Sequence, residues 1–161
     1  MVEHALTRPS CRRVVVVAFA NKQVFPLAQG LGEAIAACLA SHGCNLMLTD
    51  VNAVGVEEVA RLLTDKYGVQ AFGLGCDITD EAQVLGAFDK LRERFGRLDL
   101  LVSNAGILTS GPITEFEVAK WRKVIDVNLV GYMVMAKNAA KMMIAQKSGS
   151  IIQIHSLSLI H

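Results

Sequence analysis

From residue 14 onward the chain alternates two hydrophobic periods. Val14-Val15-Val16-Val17-Ala18 is an unbroken, mostly β-branched run, the pattern of a strand covered on both faces. Leu31, Ala34, Ile35, Cys38 and Leu39 recur at helical spacing within residues 30–42. That spacing predicts a helix with those side chains on its buried stripe, stopped at His42-Gly43. The alternation repeats with a strand over 45–49 followed by Asp50, a helix over 56–67 and a strand over 69–76. A helix over 80–95 with an acidic first turn and a strand over 98–102 come next. Helices are expected over 114–127 and 130–146, and a fifth strand over 150–155. Strands alternating with helices through short loops predict an α/β fold: a doubly wound, mostly parallel sheet of five strands with helices on both faces. Ligands of such sheets bind beyond the carboxyl ends of the strands, beside the point where strand order reverses. Residues 1–13 read as an N-terminal extension and 14–161 as one domain.

Composition narrows the classes. The 161 residues suit a single domain, and 52% hydrophobic with 19% charged residues excludes a disordered chain. Sixteen basic against 15 acidic residues leave a net charge of +1, so nothing electrostatic argues for nucleic acid or an anionic membrane. No apolar run approaches the ~18 residues of a membrane span, and residues 1–13 lack the apolar stretch of a secretory signal. A soluble, cytoplasmic protein is the expectation. Cys11, Cys38, Cys44 and Cys76 form no C-x-x-C pair and are expected as buried free thiols. His4, His42, His155 and His161 are too scattered to argue for a metal site.

The candidate chemistry falls at the predicted strand ends. Gly30-Leu31-Gly32 opens the first helix, where bare backbone, free N–H groups and the positive dipole end suit a phosphate; an ordinary helix start reads the same way. Asp50 stands about 20 residues beyond, where an acidic residue accepts hydrogen bonds from an adenosine ribose; a turn or N-cap aspartate is the alternative. Asp77 and Ile78 follow the third strand, and capping the next helix is the alternative for Asp77. Ser103-Asn104-Ala105-Gly106 follows the fourth strand, with small residues that admit a ligand. Asn128 falls between two helical stretches, where an amide also serves as a cap. Ser156 follows the fifth strand.

In this order, G-L-G, Asp50, C-D-I-T, S-N-A-G, D-V-N-L and S-I-I-Q-I-H-S resemble the short-chain dehydrogenase/reductase family from about Val14 to Ser156. Within it, Asn128-Leu129-Val130-Gly131-Tyr132 and Ile151-Ile152-Gln153-Ile154 resemble the sorbitol-6-phosphate dehydrogenases. The resemblance implies hydride transfer between a secondary alcohol or ketone and a nicotinamide cofactor, which carries the hard step. It implies Gly30, Leu31 and Gly32 at the pyrophosphate, and Asp50 on the adenosine ribose. There Asp50 would repel a 2′-phosphate and favour NAD over NADP. Asp77 and Ile78 would lie at the adenine, and Asn104, Ala105 and Gly106 near the nicotinamide ribose. Asn128 would organise a proton-relay water, and Ser156 would hold the reacting oxygen. The 130–146 helix, with Met133, Val134, Met135, Met142, Met143 and Ile144 on more than one face, would join copies into a homo-oligomer.

Two departures accompany the match. The family's general acid/base is a tyrosine with a lysine four residues on, lying beyond the serine. Tyr67 and Tyr132 are the only tyrosines here; both precede Ser156, and alanine stands four residues after each. General acid–base help is worth about 10²–10⁴-fold, so little turnover is expected from these residues alone. The family's further strands and substrate-binding region are also missing, which leaves the fifth strand as a sheet edge. The second departure is the phosphate loop, T-G-x-x-x-G-x-G in the family. With Ala18-Phe19 in the T-G places the second glycine falls at 23, whereas the chain has it at 30; counted back from Gly30, Pro26 takes the first glycine's place. Pro lacks the N–H such a loop presents, and Phe19 does not reach glycine's angles cheaply, so Asn21–Gln29 reads as an insertion that weakens nucleotide binding. The readings that follow are an NAD-dependent dehydrogenase represented by its amino-terminal part, a catalytically dead nucleotide-binding or subunit-interaction module, and a truncated product without its own function.

Overall fold

A computed structural model describes residues 13–19 and 29–154. The strands are β1 (Val14–Ala18), β2 (Asn45–Asp50), β3 (Ala71–Gly75), β4 (Leu100–Ser103) and β5 (Ser150–Gln153). The helices are α1 (Gln29–Ser41), α2 (Ala53–Tyr67), α3 (Glu81–Phe95), α4 (Val118–Ile125) and α5 (Tyr132–Gln146). The strands form one sheet in the order β3-β2-β1-β4-β5, and every neighbouring pair is parallel. The chain winds outward from β1 through β2 to β3, then returns to place β4 and β5 on the other side. The doubly wound expectation holds, and strand order reverses between β1 and β4.

β1 is central and wholly buried, as an alternation-free run of Val requires. Val14, Val16 and Ala18 join Met47 and Leu101 under α3 and α5, against Phe88, Leu91, Met135 and Ala139. Val15 and Val17 face the other way, toward Ala36 and Ala40 of α1 and Val56, Ala60 and Leu63 of α2. Both layers exclude water from large aliphatic side chains, each worth roughly 1.5–3 kcal/mol when fully buried.

Local signals set the helix ends. The Asn52 side chain accepts the Gly55 N–H at 3.1 Å and starts α2, and Gly68 closes it in a left-handed conformation. Asp80 caps α3, accepting from Ala82 and Gln83 N–H at 2.9 and 3.2 Å, while Gln83 returns a bond to its second oxygen at 2.9 Å. This is a reciprocal cap.

Four sequence expectations need correction. The buried positions of α1 are Gly32, Ala36 and Ala40, whereas Leu31, Ala34 and Cys38 are exposed and Ile35 and Leu39 half-buried. Small residues at i, i+4 and i+8 bring the helix close to the sheet, and their hydrophobic signal is weaker than leucine's. The expected break between residues 127 and 130 is absent: α4 runs into α5 through one π-helical turn, Asp126–Gly131. The expected 114–127 helix instead starts as a short 3₁₀ turn at Ile113–Glu115, and α4 begins at Val118. Finally, Cys44 and Cys76 are buried thiols but Cys38 is exposed.

Candidate functional site

The carboxyl ends of β1 and β4 meet at the reversal of strand order. Ala18 is paired on one side with Thr49 and on the other with Ser103, so these three share a row across the strand tips. Thr49 and Ser103 are each 1% exposed, and their hydroxyls, among the described residues, have no hydrogen-bond partner. Asn104 follows directly. Its backbone N–H donates to the Ala18 carbonyl at 3.1 Å, while its side-chain Nδ2 is buried and, among the described residues, has no acceptor. A buried unpaired donor costs roughly 1–3 kcal/mol, so three such groups stand unsatisfied on neighbouring strand tips.

The amino end of α1 closes this crevice. Gly32 is buried, and a Cβ built on it would lie 3.0 Å from Asn104 Nδ2 and 2.9 Å from Phe19 Cδ1. No side chain larger than hydrogen fits there, which explains this glycine. Gly30 is different: its surroundings are open and it is exposed, as is Leu31.

Asp50 ends β2 and is buried. Its Oδ1 accepts the Asn52 N–H at 2.7 Å, and its carbonyl accepts from Cys76 at 2.9 Å. The carboxylate thus makes the turn that the alternative reading supplied, at the carboxyl end where the ribose reading needs it, while Asn52 is the actual cap of α2. Asp77 Oδ1 accepts from the Thr79 N–H and hydroxyl at 2.9 and 2.7 Å; it folds the turn before α3, and Asp80 does the capping. Ile78 is buried in the core under α5, which leaves only its backbone for contact with a ligand. Beside them, burial pushes the Cys76 thiol up to about 11, and the Asp77 and Asp80 carboxylates push the same way. Cys76 therefore stays protonated at neutral pH and is no nucleophile.

The second half of the site is a clamp. Asn128 lies within the π turn, where its Oδ1 accepts the Ile107 N–H at 2.8 Å and its Nδ2 donates to the Ile107 carbonyl at 2.9 Å. The cap reading for Asn128 is replaced by a two-point tie between the helix and the loop after β4. Gly106 sits against it, with Asn128 Oδ1 3.5 Å from the place of a Cβ; Ala105 is half-buried on the core. Gln153 Nε2 donates to the Asn128 backbone carbonyl at 3.2 Å, joining β5 to the same turn. π turns are frequent at functional sites because the extra residue frees a carbonyl from the helical ladder. Sequence reasoning missed Gln153, Ile107 and Thr49; the one available signal was a glutamine alternating with isoleucines in β5. Ser156 lies outside the described residues. Ile154 N–H donates to the Ser103 carbonyl at 2.9 Å, so β5 runs along β4 up to that point.

The predicted residues thus fall into three groups: Gly32 with Asn104 at the β1–β4 crevice, Asp50 with Asp77 at the β2–β3 tips, and Gly106 with Asn128 beside β5. Asp50, Asp77, Asn104 and Gly106 follow the carboxyl ends of strands, with Gly32 of α1 set against Asn104 and Asn128 of the π turn tied to Ile107 beside Gly106. Among the described residues no group of His, Cys, Asp or Glu could hold a metal ion, and no helix is long and apolar enough to cross a membrane.

The short chain dehydrogenase family model matches residues 24–159. Cis-4-hydroxycyclohexanecarboxylate dehydrogenase of Sinomonas cyclohexanicum is 40% identical over 131 residues, which cover 81% of this chain and 52% of that protein. Sorbitol-6-phosphate 2-dehydrogenase of Escherichia coli K12 is 36% identical over 132 residues, covering 81% and 51%. Relatives with such different substrates at similar identity leave the substrate unassigned. An alcohol dehydrogenase from the archaeon Thermococcus sibiricus, solved with 5-hydroxy-NADP, superposes with a TM-score of 0.79 at 27% identity over 89% of this chain and 57% of that one. The chain spans about half the length of the curated relatives it matches. With its parallel sheet, its reversal of strand order between β1 and β4 and the matched segment, the chain belongs to the short-chain dehydrogenase family.

Proposed function

We propose that the chain is the nucleotide-binding part of an NAD-dependent oxidoreductase that moves hydride between a secondary alcohol and the nicotinamide. A sugar alcohol phosphate is one candidate substrate, by similarity to the sorbitol-6-phosphate enzyme. The observation that carries the reading is the buried Asn104 Nδ2, unpartnered among the described residues, facing Gly32 at the reversal of strand order. A nicotinamide dinucleotide fits the described residues at both ends. At the adenosine end, Asp50 would accept from ribose hydroxyls and repel a 2′-phosphate, with Asp77 and the Ile78 backbone beside the adenine. At the other end, Asn104, Ala105 and Gly106 would line the nicotinamide ribose. Gly30, Leu31 and Gly32 would face the pyrophosphate, the one place where the fit is incomplete. When bound, the dinucleotide supplies the hydride chemistry.

The chain's own residues would do the rest. Asn128, held by Ile107, would fix the π turn and aim its backbone carbonyl toward the proton path, with Gln153 holding that carbonyl in place. Ser156 would hold the reacting oxygen. The 161 residues hold no Tyr with a Lys four positions on, so by themselves they would not perform the acid–base step. Little or no turnover is expected from them with NAD and sugar alcohols.

A thermal melt tests the nucleotide reading. A ligand that binds only the folded state stabilises it by RT ln(1 + [L]/Kd), about 2.7 kcal/mol at 100-fold saturation. Millimolar NADH is expected to raise the melting temperature and NADPH to leave it unchanged. An equal shift with both would remove the role given to Asp50, and a shift with neither would remove nucleotide binding by the wild-type chain.

Self-association is expected from the sequence through the 130–146 helix, but its Val134, Met135, Met142 and Met143 are buried against the sheet, so we propose instead the exposed stripe that runs from α4 into α5. Val118, Trp121, Ile125, Leu129 and Met133 recur every three or four residues and are exposed, a stripe longer than scattered surface apolar residues make. Sedimentation is expected to show an oligomer that Trp121→Glu dissociates; a wild-type monomer would sink this part. The exposed and buried free thiols of Cys38, Cys44 and Cys76 suit a reducing, cytoplasmic location, which cell fractionation checks.

A further inference from the structure

We infer that the Phe19 ring plugs the phosphate crevice and sets the affinity of this chain for dinucleotides, an inference that rests on the nucleotide reading above. Three observations meet at this residue. First, Phe19 follows β1 directly: its N–H donates to the Thr49 carbonyl at 2.8 Å, which fixes the residue at the tip of β1, in the place where the family's phosphate loop has a glycine. Second, the ring lies on the bare face of α1, with Cδ1 and Cγ 2.9 and 3.4 Å from the place of a Gly32 Cβ. That face is the part of the first helical turn that β1 and β4 leave open, and an aromatic ring now covers it. Third, Asn104 Nδ2 stands at the same spot, 3.0 Å from the same place, with Asn104 8% exposed and this donor lacking an acceptor among the described residues. An aromatic ring is only a weak acceptor for such a donor. A phosphate or ribose oxygen would satisfy it, and the ring keeps such an oxygen out.

The ring is half-buried against the layer of Val15, Val17 and Ala36, so it also contributes packing. Shortening it would open the crevice and expose the Asn104 donor to ligand at some cost in stability. Phe19→Ala opens it most; Phe19→Leu keeps apolar contact with the layer while removing the ring, and serves if the alanine variant does not fold. The experiment is a titration of the full 161-residue chain and both variants with NADH, read by nicotinamide fluorescence and calorimetry, with a cooperative melt as the criterion of folding. NADH is expected to bind Phe19→Ala at least tenfold more tightly than wild type, with Phe19→Leu between them. Wild-type binding that folded variants fail to improve would overturn the plug and leave the nucleotide reading standing. Absence of binding in all three at millimolar NADH would overturn both, and binding by the variants alone would support both.

Discussion

The sheet has two edges, and they are finished differently. β3 is reached through α2, whose last turn closes on Gly68 in the left-handed conformation at φ 66°. Its Phe72 ring packs against Phe95 with centroids 5.6 Å apart and lies under the Arg94 guanidinium at 4.8 Å. The strand is half-buried along most of its length, and α2 presses on it so closely that Gly73 admits no side chain. β5 is reached through α5, which closes on Lys147 with φ 57°, a conformation that costs a non-glycine residue about 1–2 kcal/mol. Ile151, Ile152 and Ile154 remain 36–45% exposed, with neighbouring positions pointing to opposite faces. Both strands read alike in sequence as short apolar segments; the difference lies in what each is packed against. The isoleucines of β5 are written for covers on both faces that the described residues do not supply.

The comparison can be broken most sharply at Gly73. A Cβ there would lie 2.5 Å from the backbone of Val56 and Glu57, and backbone cannot swing aside as a side chain can. Gly73→Ala is expected to cost about 3 kcal/mol, the upper part of the overpacking range, seen in denaturant titration; a loss under about 1 kcal/mol would mean that α2 and β3 separate easily. Next comes a matched pair. Phe72→Ala removes a ring held on two sides and should cost about 2 kcal/mol, below the ~3–5 of a fully buried Phe. Ile152→Ala, at 45% exposure, should cost under about 1 kcal/mol. Equal costs would erase the contrast between the edges. The smallest effect has the opposite sign: Lys147→Gly should stabilise by roughly 0.5–1 kcal/mol by relieving the left-handed residue, and a destabilisation would mean that the lysine side chain holds β5 in place.

Why some of this was legible in sequence and some was not follows from the same elements. β1 and β2 were plain because strands buried on both faces leave no polar positions to confuse the pattern. The face of α1 was misread because Gly32, Ala36 and Ala40 pack by closeness rather than by size. Asn128 looked like a break because D-V-N is polar at a helical seam; its partner, Ile107, lies 21 residues earlier and no local pattern points to it. Asp50 and Asp77 were found at the right strand ends, yet each also makes a turn, which residue type alone does not separate from binding. The departure at Phe19 was visible as a wrong residue in a familiar place, while the contact with Gly32 that gives it meaning appears only once β1 and α1 are packed.

The π turn at Asp126–Gly131 carries one consequence of a different kind, concerning insertions and deletions. An α-helical residue advances about 100° around the axis and 1.5 Å along it, so a segment with one residue more than the regular ladder needs acts as a phase shifter. Deleting a single residue there would restore an ordinary helix and turn everything downstream by about a quarter of a revolution. Val134, Met135, Met142 and Met143 would rotate off the sheet, and the Asn128 amide would lose Ile107. Substitutions in this stretch change one contact at a time, whereas a change of length by one re-indexes the whole helix. The helix is therefore more tightly constrained in its count of residues than in their identity.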